Sequence, residues 1–256
     1  MKGETNGKMI RCFVVFFCSL VILSAGCKTK SRNQATISGQ FIHAAGEKII
    51  LLELDTKSIR RIDSTSLDAA GKFAFRTNPE EPGFYMLQSQ QGKVLVLYAD
   101  KGNTITLSGD YSSFPDGIIV NGPKEAELLE EFFRFTRKNE KKVDSLENLL
   151  MEGQERPGYD RLTAEIDSVF KNIWYNQREF EKAFIDRNPA SLVSLIVLNY
   201  AFGRYPVLSP EEDSVYYLKL DQNLMSAFPD NKHVRFHHQR VLEYQREKAI
   251  KQNHPD

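Results

Sequence analysis

The sequence predicts an α+β protein, in which an N-terminal antiparallel β-sandwich or partly open barrel over residues 36–122 precedes an all-α helical module over 123–256. Three observations carry that expectation. Short apolar runs separated by turn residues fill the first half. Apolar residues recur at helical spacing beyond Pro123. The two patterns scarcely mix, so strands and helices are expected to segregate.

The first element is a leader. Lys2, Lys8 and Arg11 precede an apolar run of 14 residues at 12–25, shorter than the roughly 20 needed to cross a bilayer, so residues 1–26 read as an export signal. The sequence Leu23-Ser24-Ala25-Gly26-Cys27 resembles the lipobox of bacterial lipoproteins, which implies cleavage before Cys27 and attachment of lipid to its sulfur. Two or three acyl chains on one residue anchor stably, at about 0.8 kcal/mol per buried methylene. Residues 27–35 then form the lipidated cysteine and a polar tether carrying Lys28, Lys30 and Arg32. Surface-displayed lipoproteins of the Bacteroidetes resemble one another in an acidic patch at this point, and the tether has none. The periplasmic face, in the outer membrane, is therefore the expected address.

Strands are expected at 36–44, 48–55, 59–67, 72–77, 83–90, 94–100, 104–109 and 117–121. Phe73 and Phe75 alternate with Lys72, Ala74 and Arg76, and Ile105 and Leu107 with Thr104, Thr106 and Ser108, which puts apolar side chains on one face. The breaks carry turn chemistry: Ala45-Gly46-Glu47, Asp68-Ala69-Ala70-Gly71, Gln91-Gly92, Asp100-Lys101-Gly102-Asn103 and Asn121-Gly122. Gaps this short exclude crossover helices and call for mostly antiparallel pairing.

The helical half opens at Pro123, suited to a first turn, with Leu128, Leu129, Phe132, Phe133, Thr136, Val143, Leu146 and Leu150 in register and Gly153 as a stop. A second helix is expected from 157 to 187, broken by Asn188-Pro189. Ser191 is placed to cap the apolar segment 192–202. Ser209-Pro210-Glu211-Glu212 has capping-box spacing and is expected to open a helix reaching Phe228. A last helix runs from about Asn231 toward Lys251.

Function is less legible. After removal of the leader, 31 basic and 33 acidic residues remain, a net charge of −2 with no basic stripe, so no nucleic acid partner is expected. Cys12 and Cys18 lie in the leader, so Cys27 is the sole remaining sulfhydryl, and it offers neither a CxxC redox pair nor a cysteine-held zinc. Phosphate-binding glycine loops, Gly-x-Ser-x-Gly and His-Glu-x-x-His are all absent from the sequence. His233 and His237 stand four apart on the last helix and share a face, as two metal-ligating imidazoles would. Lys232, Arg235 and Arg240 crowd them, and the expectation is solvated surface histidines, with no metal, no cofactor and no catalytic residue. The adjacent aromatics Phe84-Tyr85, Phe132-Phe133, Trp174-Tyr175 and Tyr216-Tyr217 point in different directions, leaving one member of a pair free to be exposed.

A resemblance covers most of the mature chain. It rests on Ile37-Ser38-Gly39, Lys48-Ile49-Ile50-Leu51-Leu52-Glu53, Ile62-Asp63-Ser64-Thr65, Asp68-Ala69-Ala70-Gly71-Lys72-Phe73-Ala74-Phe75 and Glu81-Pro82-Gly83-Phe84-Tyr85. This run resembles the β-rich domain of unknown function at the N-terminus of Bacteroidetes thioredoxin-like lipoproteins, the thiol-disulfide oxidoreductases of the AhpC/TSA family. Asn121-Gly122 with the Glu-rich helix after it, and residues 184–192, resemble the helical connector that precedes their thioredoxin domain. That domain carries a Cys-x-x-Cys site, which no residue here matches, so redox activity is not carried over. The resemblance implies a non-catalytic envelope lipoprotein, anchored through Cys27, that presents an interaction surface to an envelope protein such as a thiol-disulfide oxidoreductase. A lipoprotein that binds a glycan or a peptide, in a pocket with exposed aromatics and a few convergent polar groups, is the alternative. An unrecognised hydrolase is the third class.

Overall fold

A computed structural model describes residues 33–253. Export signal, Cys27 and most of the tether lie outside the described residues. The described residues form one compact unit, and it is α+β.

Eight strands build two four-stranded sheets: β1 (Ala35–Ile42), β2 (Lys48–Leu54), β3 (Ile59–Ser66), β4 (Lys72–Thr77), β5 (Gly83–Ser89), β6 (Val94–Ala99), β7 (Thr104–Asp110) and β8 (Ile118–Asn121). One sheet has the order β4-β1-β7-β8 and the other β3-β2-β5-β6. Two separate sheets enclosing one apolar core make this a sandwich rather than a barrel. Ile37, Phe75, Ile105 and Leu107 from the first sheet meet Ile49, Leu51, Leu87 and Leu97 from the second. Alternation sets these faces: β4 reads exposed–buried throughout, with Phe73, Phe75 and Thr77 inward.

Most pairs are antiparallel, as the short gaps require, but β1 and β7 run parallel from Thr36 opposite Thr104 to Ile42 opposite Asp110. The crossover that a parallel pair needs is supplied here by strands. Between β1 and β7 the chain passes through the opposite sheet as β2 and β3, returns as β4, and passes through again as β5 and β6. At the β1–β7 contact Gly39 is required, because a Cβ there would run into the Leu107 carbonyl oxygen. Gly39→Ala is expected to cost about 1–3 kcal/mol by overpacking. A lowered urea midpoint with an unchanged m-value checks it, and an unchanged midpoint would mean that the strands separate there without strain.

The helices are α1 (Lys124–Gly153), α2 (Tyr159–Arg187), the short α3 (Val193–Leu198), α4 (Ser214–Ala227) and α5 (Lys232–Asn253), with a two-residue ribbon of β9 (Ala201–Phe202) and β10 (Tyr205–Pro206) between α3 and α4. Start and stop of α1 fall where Pro123 and Gly153 place them. Asn188 ends α2, and the Ser191 hydroxyl accepts from the Val193 N–H at 3.3 Å. One boundary differs: α4 begins at Ser214 and not at the Ser209 capping box. The Ser209 hydroxyl does accept from the Glu212 N–H at 3.3 Å. The turn then closes on Asp213, whose side chain is drawn to α2 rather than continuing a helix from Ser209.

Helices and sandwich share a layer boundary. Phe84, on β5, and Tyr98, on β6, point away from the sandwich interior into the helical core with Phe132, Phe184, Leu195, Leu220 and Val234. Tyr85, their strand neighbour on β5, belongs to the sandwich core. Sheet β3-β2-β5-β6 is thus covered on both sides along β5 and β6, giving three layers. No helix among the described residues is long and apolar enough to cross a membrane.

Candidate functional site

Where the sandwich meets the helices, a groove of about 400 Å³ opens between the β2–β3 tip at residues 54–56, Phe84 at the start of β5, the end of α3 and one face of α5. The α5 contribution is His233, Phe236, His237 and Arg240, spaced i, i+3, i+4 and i+7, the pattern of one helical face. From α3 and the residues after it come Leu195, Asn199 and Tyr200. The volume is that of a small-molecule or side-chain pocket.

The groove is held open by a clamp at the start of α5. Asn231 accepts from the His233 and Val234 N–H groups, at 3.0 and 3.4 Å, and so caps the helix. Its amide donates to the Pro82 carbonyl at 2.8 Å. The Lys232 N–H donates to the Glu81 carboxylate at 3.1 Å, an anion set at the positive end of a helix. The Lys232 ammonium reaches Glu53 at 2.8 Å and Asp55 at 3.5 Å. Glu53 also takes Arg60, and against the cost of burial its hydrogen bonds to Lys232 and Arg60 hold its carboxyl below the usual range. Residues 81–83 of the sandwich and 231–232 of the helix therefore fix the two modules against each other.

His233 and His237 do share a face, but they are not solvated. His237 is 5% exposed, with Nε2 3.3 Å from the Tyr217 carbonyl. The His233 ring stands edge-on to Phe84, centroids 5.4 Å apart, and its buried Nε2 has no hydrogen-bond partner among the described residues. Burial pushes the His233 imidazole down to about 4, and burial lowers His237 as well. Both rings are neutral at pH 7. His238 turns away to Asp221, 3.0 Å from either carboxylate oxygen. Among the described residues no group of three or more His, Cys, Asp or Glu side chains is arranged to hold a metal ion.

Lys232 is spent on the clamp, so the cation of the groove is Arg240. It is exposed, its guanidinium donates to Asn199 at 3.1 Å, and among the described residues no carboxylate pairs with it. The groove thus combines aromatic and aliphatic walls, two neutral imidazoles, the Arg240 guanidinium at the rim and, at the β2–β3 tip, the Asp55 carboxylate that Lys232 approaches at 3.5 Å. Such a lining has the chemistry to hold an apolar group carrying a polar end. Phe236, Asn199 and Tyr200 were not apparent as site residues, although the spacing of Phe236 and Arg240 from His233 is the signal that links them.

Comparison with known proteins bears on the sandwich. Residues 35–129 match the family model of a domain of unknown function, DUF4369. The match spans all eight sandwich strands and the first residues of α1; it bears out the β-rich domain of unknown function in the resemblance described above and does not reach residues 184–192 of the connector. No curated protein matches the chain. Among solved structures, a C-terminally truncated form of the tip fimbrial protein Mfa3 from Porphyromonas gingivalis is similar at 12% identity and a TM-score of 0.24. That match covers 36% of this chain and 50% of the fimbrial one, so the chain spans half of its length.

Proposed function

We propose that the chain is a non-catalytic lipoprotein of the cell envelope, held through Cys27 to the periplasmic face of the outer membrane, that binds a segment of a partner protein. The observation that carries this reading is the junction groove, whose walls come from both modules and whose apolar lining ends at Arg240. A thiol-disulfide oxidoreductase is the partner class implied by the resemblance of the sandwich and connector to parts of such proteins. A second reading, a small amphipathic ligand such as a glycan or free peptide, is favoured by the volume of about 400 Å³ and by the aromatic rings of Tyr200 and Phe236.

Crosslinking in intact cells followed by affinity capture of the full chain tests both. Capture of one specific envelope protein that Phe236→Glu abolishes, with loss of membrane retention in Cys27→Ser, is the expected result. Recovery of the same proteins by the Phe236→Glu variant would remove the groove from the proposal. A Cys27→Ser protein that still fractionates with membranes and takes up labelled palmitate would overturn the anchor.

A further inference from the structure

Away from the residues of the clamp, β8 is the end strand of its sheet, bonded to β7 alone. Alternate N–H and C=O groups of such a strand point outward and can accept another strand. Helix α1 runs back beside it. At one end a Cβ on Gly122 would lie 3.3 Å from the Ala126 Cβ, and at the other Asp116 pairs with Arg137 at 3.4 Å and with Lys141. Strand and helix are thus antiparallel, with a trough of about 570 Å³ lined by residues 116–121 and one charged stripe of α1.

The charges in that stripe are unevenly spent. Glu130 is bound by Arg137 at 2.8 Å, Glu131 by Arg187 at 3.1 Å, and Asp116 by Arg137 and Lys141. Arg134 and Lys138 line the trough, are exposed, and among the described residues have no ion-pair partner; exposed Glu127 has none either, but it stands about 10 Å along the helix from Arg134, toward the Gly122 end, which leaves the two cations together toward the Asp116 end. They are one helical turn apart, about 5–6 Å between Cβ atoms. Side chains at alternate positions of an extended strand are about 7 Å apart on one face. Two acidic residues in an i, i+2 relation would therefore meet both cations while the backbone paired with β8. Ile119, also in the lining of the trough, is 60% exposed, an apolar contact for such a strand.

We infer that the trough between β8 and α1 is a docking site for an extended acidic segment of a partner protein, which adds to the sheet as a strand beside β8. It is a different surface from the junction groove, and either can fail without the other.

The test is fluorescence anisotropy on the full chain in detergent, with a labelled octapeptide of alternating Glu and Val as probe. Saturable binding is expected, weakened about tenfold or more, or 1.4 kcal/mol, by the double variant Arg134→Glu and Lys138→Glu. Both side chains are exposed, so the fold is not at stake, and an unchanged thermal midpoint verifies that. The same octapeptide methylated at alternate backbone nitrogens is expected to lose binding, since it cannot complete a ladder. An alternating Lys and Val octapeptide should not bind. Absence of saturable binding at millimolar peptide, or binding indifferent to the double variant or to backbone methylation, would overturn the docking site. In that case the short strand and its charges serve to keep the edge from pairing.

Discussion

Asp213→Ala is expected to lower stability by about 3–5 kcal/mol, the cost of leaving a buried cation without its partner. Asp213 is 2% exposed and sits just before α4. Its carboxylate takes both terminal nitrogens of Arg178 at 2.7 Å, the Ser209 N–H at 3.1 Å and the Lys182 ammonium at 3.5 Å. Arg178 in turn donates to the Val207 carbonyl at 3.0 Å and lies over the Trp174 ring at 5.1 Å. One carboxylate therefore joins α2, the loop after the β9–β10 ribbon and the start of α4. Removing it leaves Arg178, whose side chain is 12% exposed, with only the solvent-exposed Glu212 carboxylate at 3.4 Å, and frees the Ser209 turn at the same time. Asp213→Asn keeps the shape and the Ser209 hydrogen bond while losing the charge, and should fall between wild type and alanine. Chemical denaturation of the three proteins at one pH measures this. A loss below about 1 kcal/mol for the alanine variant would place the pair among weak, solvent-screened ion pairs.

Asp213 also illustrates where local pattern stops being informative. Ser209-Pro210-Glu211-Glu212 has every residue a capping box needs, and the Ser209–Glu212 hydrogen bond forms. The helix nevertheless starts later, because Arg178, 35 residues earlier, holds Asp213. The strands were more legible, since Gly71, Gly92 and Gly102 sit at positive φ in the turns that bound them. What alternation could not give was the partner of each strand: β1 meets β7 in parallel because of the crossover through the opposite sheet, a fact of topology rather than of either strand. β5 and β6 (GFYMLQS and VLVLYA) break alternation by being apolar on both faces, and this was a readable sign that something covers their outer side. The histidines were misleading for a related reason. Lys232, Arg235 and Arg240 make the segment look wet, but Asn231 and Lys232 dock it onto Pro82, Glu81 and Glu53, and that docking turns the His233–His237 face inward.

The same burial makes stability depend on pH in a way that one substitution should reveal. Glu181 is fully buried between α1 and its own helix. One carboxyl oxygen accepts from the Gln177 amide at 3.0 Å, which also donates to Thr136 at 2.9 Å, and the other oxygen has no partner among the described residues. Burial pushes its carboxyl up to about 9, from 4.5 in the unfolded chain. Because the folded state keeps a proton that the unfolded state gives up, this contribution is fully present below pH 4.5 and is lost as pH rises toward 9. His233 acts oppositely: lowered to about 4 from 6.5, it contributes stability above pH 6.5 that is lost as pH falls toward 4, and His237 has the same sign. Between about 4.5 and 6.5 Glu181 and His233 largely offset one another, and from pH 6.5 to 9 Glu181 acts alone. Glu181→Gln keeps the acceptor for Gln177 and removes the titration. At pH 8, 3.5 units above the unfolded value of 4.5, it should therefore be more stable than wild type by on the order of 5 kcal/mol, at about 1.4 kcal/mol per pH unit. At pH 5 the two should differ little. The variant should also show what Glu181 conceals, a stability that climbs from pH 4 to 6.5 under the histidines. Urea midpoints at pH 5, 6.5 and 8 decide the matter: parallel profiles for the two proteins would mean that Glu181 is ionised in the folded state, with water or a cation reaching its second oxygen.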